Sequence, residues 1–513
     1  ARRYIGRGAF VMLLIFMVAL LALVCSSFLD LSATALTSKV DIATLELPAG
    51  QTLFRVQDGQ AVIGGIASTS VIVITAFSPL IGFLYIKRKS SIWLCSLLAI
   101  IICGLSIWIG LLFPMSVKPQ TWKLMISGYV LVAAGVPIWF FLQSRDFINV
   151  HILYAGIVFL FIAIIAAGLR GGGQAGSAVA MIPMNNWSQS STLLGPGWPV
   201  MFVIIACGAV SGFHSLCAGG TTCKQLNNEA AARHVGFYAM LLESFLAVCV
   251  ICCLLVGLSL ADYRGYCYPS AGKGNAILTF AMAVGHTVNT GLGLPIAAGA
   301  LGAMLLLEGF LVTTLDTAIR LTRYMIEEGW ATFFGHYDVF AAAGCADPAK
   351  SFEVAGTGGM RIDEPHPAPA PAAQPVVATR GLGRAALRFL RYYWVNSGLA
   401  VAIMLLLGWG NGYKVLWSIF GSANQLLAAL ALVIGSLWLI HKGRPVRYLL
   451  IPALFMLATS LTMLVRLLVK DYLPAWPKTA PLVITDLVVL AMSVGITLLA
   501  ARSWLQTRRK DIL

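Results

Sequence analysis

Four carboxylates fall inside apolar runs of this chain: Glu243, Glu308, Asp316 and Asp486. An ionised carboxyl near the centre of a bilayer costs roughly 2.5 kcal/mol or more. Each is therefore paired, protonated or turned towards water, and a protonated carboxyl is what a proton-coupled device needs. Glu308 is the deepest of the four, with Leu305-Leu306-Leu307 before it and Gly309 after it. The sequence offers it no partner, which favours a functional role. Asp316 lies four residues before Arg320, so the two can pair on one helix face. A plain ion pair at a helix end explains Asp316 as well as proton coupling does. Glu243 lies about two turns into its run and either carries a proton or caps a neighbouring helix. Asp486, near the outer end of the last run, reads as structural.

A second candidate is the stretch 206–226, ACGAVSGFHSLCAGGTTCKQL. Four glycines, two serines, two adjacent threonines and a histidine are unlike an ordinary membrane-spanning helix. Backbone that leaves the helix inside hydrocarbon is tolerated only where it is buried in protein or lines a watery cavity. Interrupted helices of this kind form substrate sites in secondary transporters. Close packing through small residues would explain Gly208, Ser211 and Gly212 equally. It explains less well Phe213-His214-Ser215 and Gly219-Gly220-Thr221-Thr222. The spacing predicts a discontinuous helix broken near Gly219-Gly220. Its substrate-binding candidates are Ser211, Gly212, His214, Ser215, Gly219, Gly220, Thr221 and Thr222. A lone histidine is often a hydrogen-bonded core residue, but imidazole also suits a proton relay.

The elements that must position these groups are helices in a membrane. Of 513 residues, 59% are hydrophobic and 11% charged, and the mean hydropathy is +0.86. That composition indicates an all-α polytopic membrane protein. Runs near 9–30, 62–86, 92–115, 124–143, 150–168, 198–219, 236–260, 294–316, 391–410, 414–440, 447–468 and 480–503 suggest about twelve transmembrane helices of some 20 residues each. The region 271–293 holds His286, Asn289 and three glycines, and reads as a half-membrane helix or an external cap.

The formal net charge of +15 would suggest nucleic acid in a soluble chain. Here the cations sit in short loops, as loops facing the cytoplasm require, and no nucleic-acid partner is expected. With the N-terminus inside, Lys87-Arg88-Lys89, Arg145, Lys224 with Arg233, Arg320 with Arg323, Lys442 with Arg444, and Arg508-Arg509-Lys510 all fall inside. Both termini are then cytoplasmic, and Lys118 and Lys123 are the main exceptions. The polar segments 31–61 and 169–199 become external loops. Asn186-Trp187-Ser188 matches a glycosylation sequon by pattern only.

Three units follow: a transmembrane core over 1–326, a cytoplasmic segment over 327–390, and a C-terminal group of four spans over 391–513. The middle segment contains Pro365-His366-Pro367-Ala368-Pro369-Ala370-Pro371, an extended Pro/Ala linker. Eleven scattered cysteines with no CxxC pair argue against a disulfide framework or a zinc site. Gly171-Gly172-Gly173 lacks the lysine of a phosphate loop. No enzyme activity, metal or cofactor is expected, nor ATP-driven transport by this chain alone. In Phe420-Gly421-Ser422-Ala423-Asn424-Gln425, the amides read as interhelical hydrogen-bonding groups.

Several stretches together resemble the carbon starvation protein A family. They are ACGAVSGFHSLCAGGTTCKQLNNEA (206–230), AMLLES (239–244), TTLDTAIRLTRY (313–324), FGSANQLLAALAL (420–432) and PIWFFLQSRDFINVHILYAG (137–156). The matches cover most of 124–445. The resemblance implies a bacterial inner-membrane transporter of peptides or pyruvate, proton-coupled, with a LeuT-like inverted-repeat fold. Family members begin with further residues that include a glycine-rich AGAGP-type helix and a GAVHD-type segment. Neither is found here, and the chain starts at Ala1 rather than Met, so upstream sequence is expected to be absent. The segment 31–61 and the linker also depart from the family pattern.

The leading reading is a proton-coupled secondary transporter importing pyruvate, other small carboxylates or short peptides, with protons and the lipid bilayer as its other partners. The partial positive charge at the N-terminus of a broken helix can hold a carboxylate. The alternative is a non-transporting membrane scaffold or sensor-partner subunit, in which Glu308 and His214 are packing residues. Pyruvate and peptides both present a carboxylate, so the sequence does not separate them, and it gives no oligomeric state.

Overall fold

In the computed structural model, residues 2–45, 56–57, 59–171, 195–268, 274–334, 389–390, 392–409, 412–477 and 479–510 are described. The sequon at Asn186 and the Pro/Ala stretch 365–371 lie outside them. The described residues are almost wholly helical. Helices α1 (Arg2–Leu36), α2 (Ile63–Gly82), α3 (Ile92–Leu112), α4 (Pro119–Gly135) and α5 (Leu142–Leu169) come first. An interrupted pair follows, α6 (Phe202–Ala209) and α7 (Gly212–Gly220). Next are α8 (Ala239–Gly257), α9 (Ala276–Leu292) and the long α10 (Ile296–Phe334). The chain closes with α11 (Tyr393–Gly408), α12 (Gly412–His441), α13 (Arg447–Arg466) and α14 (Ala480–Lys510).

Among the described residues, ten helical stretches are long and apolar enough to cross a membrane. The expected spans near 124–143 and 391–410 correspond to α4 and α11, of 17 and 16 residues. The ambiguous region near 271–293 is α9, 17 residues long. Its start is capped by Asn275, which accepts from the Leu278 amide at 3.0 Å. Gly293, in the left-handed region at φ 72°, ends it and turns the chain into α10.

Two expected boundaries are corrected. Residues 31–36 continue α1 instead of opening an external loop. After them, β1 (Val40–Asp41), β2 (Val56–Gln57) and β3 (Gln60–Ala61) form a small antiparallel sheet in the order β1-β3-β2. The span expected at 294–316 runs on to Phe334, a helix of 39 residues. No proline interrupts 317–334, and Leu, Arg, Met and Glu there favour the helix. Residues 327–334 are therefore helical and continuous with α10.

Buried apolar side chains gather into two main clusters, and α10 belongs to both. Its first turns, Ile296 to Leu305, pack with the start of α2, with α5, α8 and α9. Its later turns, Leu315 to Ile326, pack with α1, α4, α7 and the C-terminal helices α11–α14. Glu308 lies on α10 between these two stretches and is fully buried.

Candidate functional site

The helix through 206–226 is interrupted twice, at Val210–Ser211 and again at Thr221, directly after the Gly219-Gly220 pair. Val210 (φ −131°, ψ 89°) and Ser211 (φ −108°, ψ 134°) leave the helical region between α6 and α7. Gly219 and Gly220 form the last turn of α7, and Thr221 (φ −127°, ψ −55°) leaves the helical region before a 3-10 turn over Thr222–Gln225. The partner helix α12 sets the position of the first break. Asn424 accepts from the Phe213 amide at 2.9 Å and donates to the Ser211 hydroxyl at 2.9 Å, so it satisfies backbone that the break leaves open. Gln425 donates to the Val203 carbonyl at 2.9 Å. Both amides thus bond between helices, as their apolar surroundings require. Gly212 allows the contact: a Cβ there would stand 2.4 Å from Leu427 Cβ and 2.5 Å from the Asn424 carbonyl oxygen.

The other candidates of this stretch divide. Ser215 donates to its own helix at Gly212 (2.6 Å), and Thr221 does so at Cys217 (2.7 Å). Thr222 is half-buried beyond the end of α7. Gly220 faces Leu321 of α10, where a Cβ would come within 2.4 Å. His214 and Gly219 are exposed. Among the described residues, no hydrogen bond or ion pair joins 211–222 to Glu308 or Asp316.

A second polar centre lies where α4, α5 and α10 meet. Arg145, 1% exposed, donates from Nη1 to the Tyr129 hydroxyl at 2.6 Å, which in turn stands close to Asp316. Asp316 is fully buried between two guanidinium groups, with Arg145 Nη2 and Arg320 Nη2 each at 3.9 Å. The expected Asp316–Arg320 pairing is present, but Arg145 shares it. Arg320 spends its hydrogen bonds elsewhere, on the Val136 (3.0 Å) and Ala133 (2.5 Å) carbonyls. Arg323 adds a bond to the Ala134 carbonyl at 2.8 Å. These carbonyls end α4, whose partial negative pole favours cations. Asn149 of α5 donates to the Gly309 carbonyl at 3.2 Å, beside Glu308. Both Glu308 oxygens are buried without a hydrogen-bond partner.

Arg145, Arg320 and Arg323 are thus not loop cations. Two of them are buried inside helices and Arg323 is half-buried, because their partners sit on other elements. Lys123, an exception to the loop-charge pattern, is 5% exposed; it pairs with Asp30 of α1 and donates to the Gly408 carbonyl of α11 at 2.8 Å. It ties three helices together and says nothing about which side it faces. Glu243 is exposed on α8. Asp486 is fully buried, with neither oxygen hydrogen-bonded. Arg145 and Tyr129 are the residues that sequence reasoning missed as part of a site. The available signal was the Ser144-Arg145-Asp146 triplet just inside an apolar run.

The family model described as carbon starvation protein CstA matches residues 1–264 and 378–463, more than half of the chain. The chain belongs to this family. It is 27% identical over 395 residues to the peptide transporter CstA of Escherichia coli (strain K12), covering 67% of this chain and 48% of that protein. To the pyruvate/proton symporter BtsT of the same strain it is 35% identical over 165 residues, 31% of this chain and 21% of that one. To the peptide transporter CstA of Mycobacterium tuberculosis (strain ATCC 25618 / H37Rv) it is 27% identical over 354 residues, 64% and 43% respectively. The alignments thus span about half the length of the curated peptide transporters. No solved structure matches.

Proposed function

We propose that this chain forms the membrane core of a proton-coupled secondary transporter in the bacterial inner membrane. It imports pyruvate, another small carboxylate or short peptides. The observation that carries the reading is Glu308: a fully buried carboxyl on α10, between two apolar clusters, with no hydrogen-bond partner. A carboxyl so placed is costly to ionise and is suited to taking up and releasing a proton. Asp316 and Glu243 are the less suited acids. Asp316 lies between two guanidinium groups, and Glu243 is exposed. The names of the relatives point to peptides and to pyruvate with a proton.

In this reading the interruption at Val210–Ser211, with Gly212, His214, Ser215, Gly219, Gly220, Thr221 and Thr222 after it, lines the substrate path. With α4 and α11 as crossings, the ten longer spans become twelve, in a LeuT-like inverted-repeat arrangement with both termini cytoplasmic. Residues 1–326 act as the core, 327–390 as a cytoplasmic segment, and 391–513 as a C-terminal group. The test is uptake of labelled pyruvate and labelled dipeptide into proteoliposomes, with and without an inward proton gradient. Accumulation of either above equilibrium only with the gradient is expected. Passive equilibration or no uptake of both would refute the reading.

A further inference from the structure

Three guanidinium groups stand around the polar centre, and they are used differently. Arg320 and Arg323 are committed to the carbonyls that end α4, and Arg323 also faces Glu327 at 3.6 Å. Arg145 bonds through Nη1 alone, to Tyr129. Its Nε and Nη2 are buried and have no hydrogen-bond partner, and Asp316 is too far from Nη2, at 3.9 Å, to supply one. Nε and Nη2 form one edge of the planar guanidinium, with two parallel N–H groups at the spacing of two carboxylate oxygens. An unpaired buried donor is costly, more so when charged, and two on one edge call for an explanation.

We infer that the Nε–Nη2 edge of Arg145 is the carboxylate-binding fork of this protein, taking the carboxylate of a 2-oxo acid or the C-terminal carboxylate of a short peptide in a bidentate pair. The inference rests on the transport reading above and names the group that recognises its substrate. Tyr129 orients the fork by occupying Nη1. Asp316, 3.9 Å from both Arg145 and Arg320, offsets part of the cationic charge, so the fork selects by geometry as well as charge. Glu308 is the other acid on which Arg145 bears, without a hydrogen bond to it. When an anion takes the fork, a proton on Glu308 restores the charge that was there before. One carboxylate and one proton then enter together, and the buried centre keeps the same net charge.

The test reads binding, not transport. The purified full chain in detergent is melted across concentrations of pyruvate, pyruvamide, glycylglycine and glycylglycinamide. At least one acid is expected to raise the melting temperature at concentrations about 10- to 100-fold below its amide, the worth of hydrogen bonds to a charged group. Arg145→Lys keeps the charge and loses the fork, so the acid-over-amide ratio should fall to near one. If that variant does not fold, Tyr129→Phe retains the guanidinium and releases its orientation, and the ratio should drop severalfold. Equal response to acid and amide in the unaltered protein, no response to any of the four, or an unchanged ratio in the variant that folds would each overturn the inference. Acid-selective binding without gradient-driven uptake would leave the fork standing and remove the transport reading. Uptake by Arg145→Lys with an unchanged KM would do the reverse.

Discussion

The side-chain amide of Asn424 and the backbone amide of Phe213 are joined at 2.9 Å, and that bond fixes where the interrupted helix resumes. The donor opens α7 and the acceptor lies in the middle of α12, more than 200 residues later. Asn424→Ala removes the acceptor for Phe213 and the donor for Ser211 at once. It should lower stability by about 1–3 kcal/mol, the cost of stranding buried polar groups. Melting in detergent reads this, and Asn424→Asp, which keeps an acceptor for Phe213, should lose less. Equal losses would mean that the cap contributes little.

Glycines along the same stretch should differ sharply in tolerance. Gly212→Ala places a Cβ against Leu427 and the Asn424 carbonyl and should strongly reduce the yield of folded protein. Gly208→Ala and Gly219→Ala meet nothing within 4 Å and should leave the yield unchanged. Size-exclusion profiles of the three variants decide this.

Lys123 and Asp30 should behave as a coupled buried pair. Lys123→Met leaves the Asp30 carboxylate without its cation and should cost about 3–5 kcal/mol. Adding Asp30→Asn should restore a large part of that loss. If the double variant simply sums the two single losses, the pair is not coupled.

Arg320 holds the end of α4 more than it holds Asp316. Arg320→Lys keeps a cation near Asp316 but cannot serve both the Ala133 and Val136 carbonyls, so a loss of about 1–2 kcal/mol is expected. Asp316→Asn leaves Arg145 and Arg320 facing each other uncompensated and should cost more. The reverse order in a melting series would assign Arg320 to the ion pair instead.

Glu308→Gln imitates a permanently protonated carboxyl. Gradient-driven accumulation in proteoliposomes should fall to background, while exchange of internal for external substrate stays within about twofold, because exchange moves no net proton. Accumulation at the unaltered rate would move the proton to another acid.

The helical, membrane-spanning character was legible from composition, since 11% charged residues leave no soluble alternative at this length. The interruption in 206–226 was legible too, because glycine and serine crowd where a span would carry leucine. The break beside Gly219-Gly220 was expected, but the one at Val210–Ser211 was not, because Asn424 of α12 decides which residues leave the helix there. Arg145, Arg320 and Arg323 were misread for a related reason. A cation near the end of an apolar run looks like a loop charge until the carbonyls of Ala133, Ala134 and Val136 and the Asp316 carboxylate are brought to it by folding. Glu308 was read as deep and without a partner, and it is fully buried with neither oxygen hydrogen-bonded. The Arg145–Asp316 pairing is a product of the α5–α10 contact, which no local pattern announces.

The 39 residues of α10 make a rod of about 58 Å. A bilayer with its headgroups is about 40–45 Å thick, so a helix at ordinary tilt must stand out of it. The last turns of α10 are largely half-buried against neighbouring elements, and Arg7 of α1 donates there to the Thr332 carbonyl at 3.3 Å. Glu308 rides on the same rod, about 36 Å further along it. No residue between Glu308 and Thr332 leaves the helix, so the buried acid and the Arg7 contact belong to one continuous element.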